Sequence, residues 1–138
     1  MQGTPAGKVT MTDDMGTFRI ELELASPSRR DARVGFDAVL VDTGAELSVF
    51  PAVALEALGI ERVKQLRFRQ ADGSVITRWT GPALIYAAGT VTTDDVVFGL
   101  PGDLVLLGAR SLEGLNLRID PVARRLVDAG PMPLAASA

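Results

Sequence analysis

Val39-Leu40-Val41-Asp42-Thr43-Gly44-Ala45 is the stretch from which the fold of this chain can be read. Three consecutive apolar residues suggest the buried end of a strand. Asp-Thr-Gly then interrupts it. Asp and Thr side chains readily bond nearby backbone, and Gly adopts conformations closed to other residues. Taken alone, the triplet is either an Asx-type turn leaving a strand or a loop that presents a carboxylate.

Upstream, Phe18, Ile20, Leu22 and Leu24 alternate with Arg19, Glu21 and Glu23, the period of a strand with one wet face. Strand structure is therefore expected over residues 16–41, broken by a polar turn at 25–31. Downstream, Pro51 suits the first helical position and Gly59 the left-handed terminating one, which predicts a short helix at residues 51–58. Residues 66–70 and 75–80 flank Ala71-Asp72-Gly73-Ser74, and Asp-Gly between alternating segments predicts a hairpin tip with both turn residues at positive φ. Strands at 83–88 and 90–98 around Gly89, a strand at 104–107 ending at Gly108, a helix at 109–114, and strands at 115–119 and 124–127 complete a mostly-β chain. Pro131 and Pro133 mark an irregular tail. The expected organisation is one domain over residues 1–138, with its core at about 16–128 and flexible ends at 1–10 and 130–138. Val41-Asp42-Thr43-Gly44-Ala45 also lines up with Val105-Leu106-Leu107-Gly108-Ala109, an echo that fits either two related halves or coincidence.

Composition narrows the chemistry. Apolar residues are 47% of the chain and charged residues 22%, which suits a globular protein. The net charge of −3 and the scattered basic residues, 12 of 14 of them Arg, argue against a nucleic-acid partner. Cysteine and histidine are both absent. That excludes thiol nucleophiles, Ser-His-Asp catalysis and His-based metal sites, so any hydrolase built from this chain works with carboxylates. No apolar run approaches the roughly 20 residues that span a bilayer; the expectation is a soluble, unexported, cytoplasmic protein without a membrane partner.

The residues Val39-Leu40-Val41-Asp42-Thr43-Gly44-Ala45 resemble the active-site signature of the aspartic protease superfamily, especially its retroviral-like branch. Leu106-Leu107-Gly108 supplies the second element of that family's pattern, and the hairpin at Asp72-Gly73 falls where the family carries its flap. Leu115-Asn116-Leu117-Arg118-Ile119-Asp120-Pro121 with Arg124-Arg125-Leu126-Val127 is similar to prokaryotic single-lobe members of the clan AA aspartic proteases. The resemblance covers roughly residues 18–127. It implies an all-β, single-lobe, retropepsin-like closed barrel with one or two short helices and a flap hairpin, acting as a homodimeric endopeptidase on a peptide or protein substrate. No metal and no cofactor is implied.

By the same resemblance, Asp42 is the catalytic carboxylate, Thr43 bonds the opposite loop of a dimer, and Gly44 and Ala45 leave room for substrate backbone. Glu46 stands where relatives commonly have aspartate: it would bind substrate backbone, pair with Arg110, or remain a solvated charge. Asp72 and Gly73 would close over substrate, although the glycine-rich flap tip of many retroviral enzymes is missing. Trp79 is expected to pack in the core or at the flap base, and Leu106 and Leu107 to support the catalytic loop. One carboxylate cannot both accept a proton from water and donate one to the peptide, and the chain has a single Asp-Thr-Gly, so the second would come from another subunit. The alternatives are a catalytically inactive peptide-binding or dimerisation module of the same fold, and a structural β domain with a chance Asp-Thr-Gly.

Overall fold

The computed structural model describes residues 9–11 and 18–134. The expectations for residues 1–8, 12–17 and 135–138, including the start of a strand at Gly16, lie outside the described residues. In chain order the elements are β1 (Val9–Met11), β2 (Phe18–Ser26), β3 (Arg29–Val41), β4 (Val49–Pro51), α1 (Ala52–Ala57), β5 (Lys64–Arg69), β6 (Val75–Ala87), β7 (Thr90–Gly99), β8 (Leu106–Leu107), α2 (Ala109–Gly114), β9 (Leu117–Asp120) and β10 (Arg125–Asp128). The described part of the chain is mostly β.

Eight strands form one sheet in the order β1-β2-β3-β8-β4-β7-β6-β5, and β2 also pairs with β6 through Glu23↔Tyr86, Leu24↔Ile85 and Ala25↔Leu84. The pairings thus run from β2 through β3, β8, β4, β7 and β6 and return to β2. Two of them are parallel: β3 with β8 (Leu40↔Leu106, Val41↔Leu107) and β4 with β7 (Val49↔Val97 to Pro51↔Gly99). The two segments that echo each other in sequence therefore lie side by side. β9 and β10 make a separate antiparallel pair.

The alternation in β2 behaves as its period requires. Phe18, Ile20, Leu22 and Leu24 are buried, while Glu21 and Glu23 are exposed. They share a core with Val39 and Val41 of β3, Phe50, Leu55 of α1, Ile85, Phe98, Leu107, Leu112 of α2, Leu115 and Leu126 of β10. At roughly 1.5–3 kcal/mol for each large apolar side chain buried, this cluster is the main favourable contribution to folding.

Several boundaries differ from expectation. The polar turn shrinks from residues 25–31 to Pro27-Ser28, where Ser26 Oγ accepts the Ser28 N–H at 3.2 Å; the residues on either side belong to strands, Ala25 and Ser26 buried and residues 29–31 exposed, with Ala25↔Arg33 and Ser26↔Arg29 in register. Pro51 precedes the helix rather than opening it, with ψ 133° still extended, and Gly59 ends the turn at φ 77° as expected. Residues 75–87 form one strand, not two, because Gly81 and Pro82 continue in register with Val96 and Asp95 of β7. Gly81 is needed there, since a Cβ would run into the Glu61 carbonyl. The β5–β6 turn has three residues, not two. Gly73 N–H donates to the Gln70 carbonyl at 2.9 Å, and only Gly73 has positive φ (89°). Both residues of the β6–β7 turn, Ala88 (φ 57°) and Gly89 (φ 76°), have positive φ. Of the expected strand at 104–107 only Leu106–Leu107 forms ladder bonds. Among the described residues no helix is long and apolar enough to cross a membrane.

Candidate active site

The loop after β3 is held from three sides. The Asp42 N–H donates to the Leu107 carbonyl at 3.0 Å, extending the β3–β8 ladder by one bond, and the Ala45 N–H returns to the Asp42 carbonyl at 3.2 Å. On the α2 side, the Ala109 N–H donates to the Ala45 carbonyl at 2.8 Å and the Arg110 N–H to the Glu46 carbonyl at 3.1 Å. Gly108 makes this contact possible, because a Cβ there would lie 2.7 Å from the Leu47 carbonyl and 3.0 Å from that of Ala45. The Gly44 N–H donates to Asp42 Oδ1 at 2.9 Å, so the loop orients its own carboxylate, while no donor among the described residues is bonded to Oδ2.

Beneath the loop runs a line of buried polar groups that the sequence did not disclose. The Gly108 N–H donates to Ser48 Oγ at 2.9 Å, Ser48 Oγ lies 2.6 Å from Ser111 Oγ, and Ser111 donates to Asp94 Oδ2 at 2.9 Å. Both serines are fully buried. Ser111 has one hydroxyl proton and spends it on a carboxylate that only accepts, so Ser48 must be the donor to Ser111. The direction of the whole line is fixed, from Gly108 to Asp94. Asp94 Oδ1 takes the Asp95 N–H at 2.8 Å and lies 3.4 Å from Arg110 Nη2. Arg110 therefore pairs with Asp94 and not with Glu46, whose own side chain is exposed. The buried position of Asp94 explains the choice: its desolvated carboxylate gains more from a guanidinium than a solvated Glu46 would.

Asp42, Gly44, Ala45 and Glu46 line a cleft of about 630 Å³ between this loop, the β5–β6 hairpin and the segment that follows β7. Phe68, Ile76, Val97, Leu104 and Leu106 give it apolar walls. Leu106 is thus both a buried support and part of the cleft, whereas Leu107 is wholly core. Thr43 is exposed, makes no side-chain hydrogen bond among the described residues and is not on the cleft wall. Nor are Asp72 and Gly73; the hairpin reaches the cleft through Phe68, Arg69, Gln70, Ala71, Ile76 and Arg78. Asp72 instead holds its own turn. Its Oδ1 accepts from Ser74 Oγ at 2.6 Å and from the Ser74 N–H at 2.9 Å, and these bonds keep its carboxyl below the usual aspartate range. Trp79, expected to be packed, is 39% exposed because it points to the outer face of the hairpin.

The cleft also contains a pair that no local sequence signal announced. Arg78 donates from Nε to Asp103 Oδ2 at 2.7 Å and from Nη2 to Oδ1 at 2.9 Å, a two-pronged bond. The Arg78 hydrogen bond pulls the Asp103 carboxyl below its ordinary range against the effect of burial, helped by the Leu100 N–H on Oδ2. A larger depression of about 820 Å³ crosses β2, β3 and the β6–β7 turn, with Arg33 bonded to Glu23 at 3.1 Å and stacked 3.6 Å above Tyr86. It contains none of the candidate site residues, Asp42, Thr43, Gly44, Ala45, Glu46, Asp72 and Gly73. Among the described residues no three His, Cys, Asp or Glu side chains converge as a metal site requires. Compared with protein-family models and with curated protein sequences, the chain matches none.

Two measurements test this construction. Ser48→Ala strands the buried Gly108 N–H and Ser111, so it should lower the unfolding free energy by about 1–3 kcal/mol in urea denaturation, whereas a change near zero would show that the line of bonds is unimportant. For Asp103, the folded carboxyl ionises more readily than the unfolded one. Its contribution is complete above the ordinary value near 3.8 and is lost as pH falls through the lower folded value. The stability difference between wild type and Asp103→Asn should accordingly be constant from neutral pH to roughly pH 5 and close below that. A difference that grows on acidification would contradict the assignment.

Proposed function

We propose that this chain is one half of a homodimeric, retropepsin-like aspartic endopeptidase, with one Asp42 from each subunit and a water between them. The observation that carries this reading is the Asp42 carboxylate on a tight loop at the wall of a cleft bounded by a hairpin, with Oδ1 bonded by the Gly44 N–H. The returning order of strand pairings, β2 through β6 and back to β2, supports a single-lobe closed barrel. Gly108 packed against the 45–47 backbone supports the pairing of Asp42-Thr43-Gly44 with Leu106-Leu107-Gly108 as two parts of one site.

The other carboxylates on the cleft wall are poor partners for Asp42 within one chain. Asp103 is engaged by Arg78 through both oxygens, and Glu46 is exposed. A twofold axis beside Asp42 would bring two copies of it together, the self-complementary arrangement of an isologous dimer. Two adjacent carboxylates share one proton and titrate as a pair; aspartic proteases are the standard example of this effect. The ionised member draws a proton from the water, which attacks the scissile carbonyl while the protonated member gives its proton to the carbonyl oxygen; the adduct then collapses, the C–N bond breaks and the leaving amine takes the proton drawn from the water. The exposed Thr43 hydroxyl is available to cross the axis to the opposite loop. Substrate lies extended, with backbone bonds to the hairpin and side chains entering alternate pockets.

Asp42→Asn removes the carboxylate that this mechanism uses as base. It should reduce cleavage of a diverse peptide library by at least about a hundredfold while the thermal unfolding midpoint stays close to wild type. Equal fragment release by both proteins would end the proposal. Peptide binding without cleavage by wild type would leave the inactive module of the same fold. Because half of the site resides in each subunit, specific activity should rise with enzyme concentration below the dimer dissociation constant, and the rate should be bell-shaped in pH. Activity strictly proportional to enzyme, in a form that sediments as a monomer, would be incompatible with a shared site.

A further inference from the structure

The β5–β6 hairpin leaves the sheet at Thr80. The ladder between β6 and β7 begins at Thr80↔Val97, so residues 75–79 pair only with β5. Register places Leu66 opposite Arg78 and Phe68 opposite Ile76, and these four form the half-buried inner face of the hairpin. Gln65, Arg67, Arg69, Val75, Thr77 and Trp79 are exposed. Arg78 is thus the one charged residue among those four on an otherwise apolar inner face, and it points toward the cleft.

Its partner is built into the opposite wall. Asp103 closes the turn after β7: its N–H donates to the Leu100 carbonyl at 2.9 Å, and its Oδ2 accepts the Leu100 N–H at 2.8 Å. With both Arg78 prongs added, each Asp103 oxygen is occupied, and Arg78 Nη1 donates to the Thr77 carbonyl at 3.0 Å. The side chains are only 15% and 20% exposed. Among the described residues, no other ion pair or side-chain hydrogen bond joins residues 65–79 to anything outside the hairpin.

We propose that Arg78 and Asp103 determine the specificity of the cleft: they clasp the hairpin to the segment after β7, and by cancelling each other they reserve the adjoining wall for uncharged side chains. This deepens the peptide-cleaving reading and rests on it for the identity of the ligand. Ile76 shares the inner face of the hairpin with Arg78, Leu104 follows Asp103, and both line the cleft, so a side chain seated beside the pair meets apolar surface and a pair with no net charge. Removing one partner exposes a single charge in a poorly solvated place, where an opposite charge on the ligand is strongly favoured and a like charge excluded. The pair therefore acts by masking as well as by holding.

The test compares wild type, Asp103→Asn, Arg78→Gln and the double neutral variant Arg78→Gln with Asp103→Asn. Each is assayed with a position-scanned peptide library and by hydrogen exchange. Wild type should select uncharged residues at one position. Asp103→Asn should shift that position toward Asp and Glu by about tenfold, Arg78→Gln toward Lys and Arg by a similar factor, and the double variant, which leaves neither charge unmasked, should return to uncharged residues. Amide exchange across residues 65–79 should accelerate about tenfold in both single variants and stay fast in the double variant, with β2 and β3 unaffected. Single variants that cleave with wild-type preference and exchange at wild-type rates would overturn the proposal. If wild type cleaves no peptide, the peptide reading falls and the side-chain preference with it, while hairpin exchange still decides whether the clasp exists.

Discussion

At Gly108 two stretches of backbone come as close as they can. The junction of β8 and α2 passes against the carbonyls of Ala45 and Leu47 with no space for a methyl group. From that approach follow the bonds from Ala109 and Arg110 to the loop, the seat for Ser48, and the parallel pairing of β3 with β8 that delivers Asp42 to the cleft. A side chain at residue 108 would push the loop off all of them together. The carboxylate is therefore oriented by backbone, which has few alternative conformations, with one buried hydroxyl fixing the contact.

The buried line from Gly108 to Asp94 makes this arrangement specific. Apolar packing would hold α2 against the loop in several nearly equivalent positions, but a chain of donors and acceptors, each with one role, is satisfied in one. It ties together β7, α2 and the loop. Gly114 adds a second close contact on the same helix, where a Cβ would collide with Thr92 of β7. The site thus rests on a helix fixed at both ends.

Much of the fold was legible because one-sided burial writes a period of two into the chain. Phe18 to Leu24 shows it, and Val39-Leu40-Val41 before Asp42 marks the strand end. Gly59 and Gly73 were legible because positive φ is expensive for other residues. What could not be read was non-local. Arg78 and Asp103 are 25 positions apart, and Ser48 and Ser111 are 63 apart, and neither pair carries a local signature. A faint signal for Arg78 did exist, since it continues the Phe68 and Ile76 face of an alternating hairpin, but an inward arginine is recognisable only once the partner is known. Gly81 and Pro82 misled for a related reason. Both usually end strands, and here they mark a place where the Glu61 backbone crowds against an uninterrupted one.

That crowding has a mechanical side. β6 continues from the hairpin through Gly81 into residues that pair with β7 and, at Leu84–Tyr86, with β2 on the other edge. Its inner half is gripped by β7 throughout and by β2 as well at Leu84–Tyr86, and residues 75–79 by β5 alone, like a beam set in masonry. Deflection at the tip should bend the free span and die away at the wall, so the hairpin can be displaced without transmitting load to the hydrophobic interior.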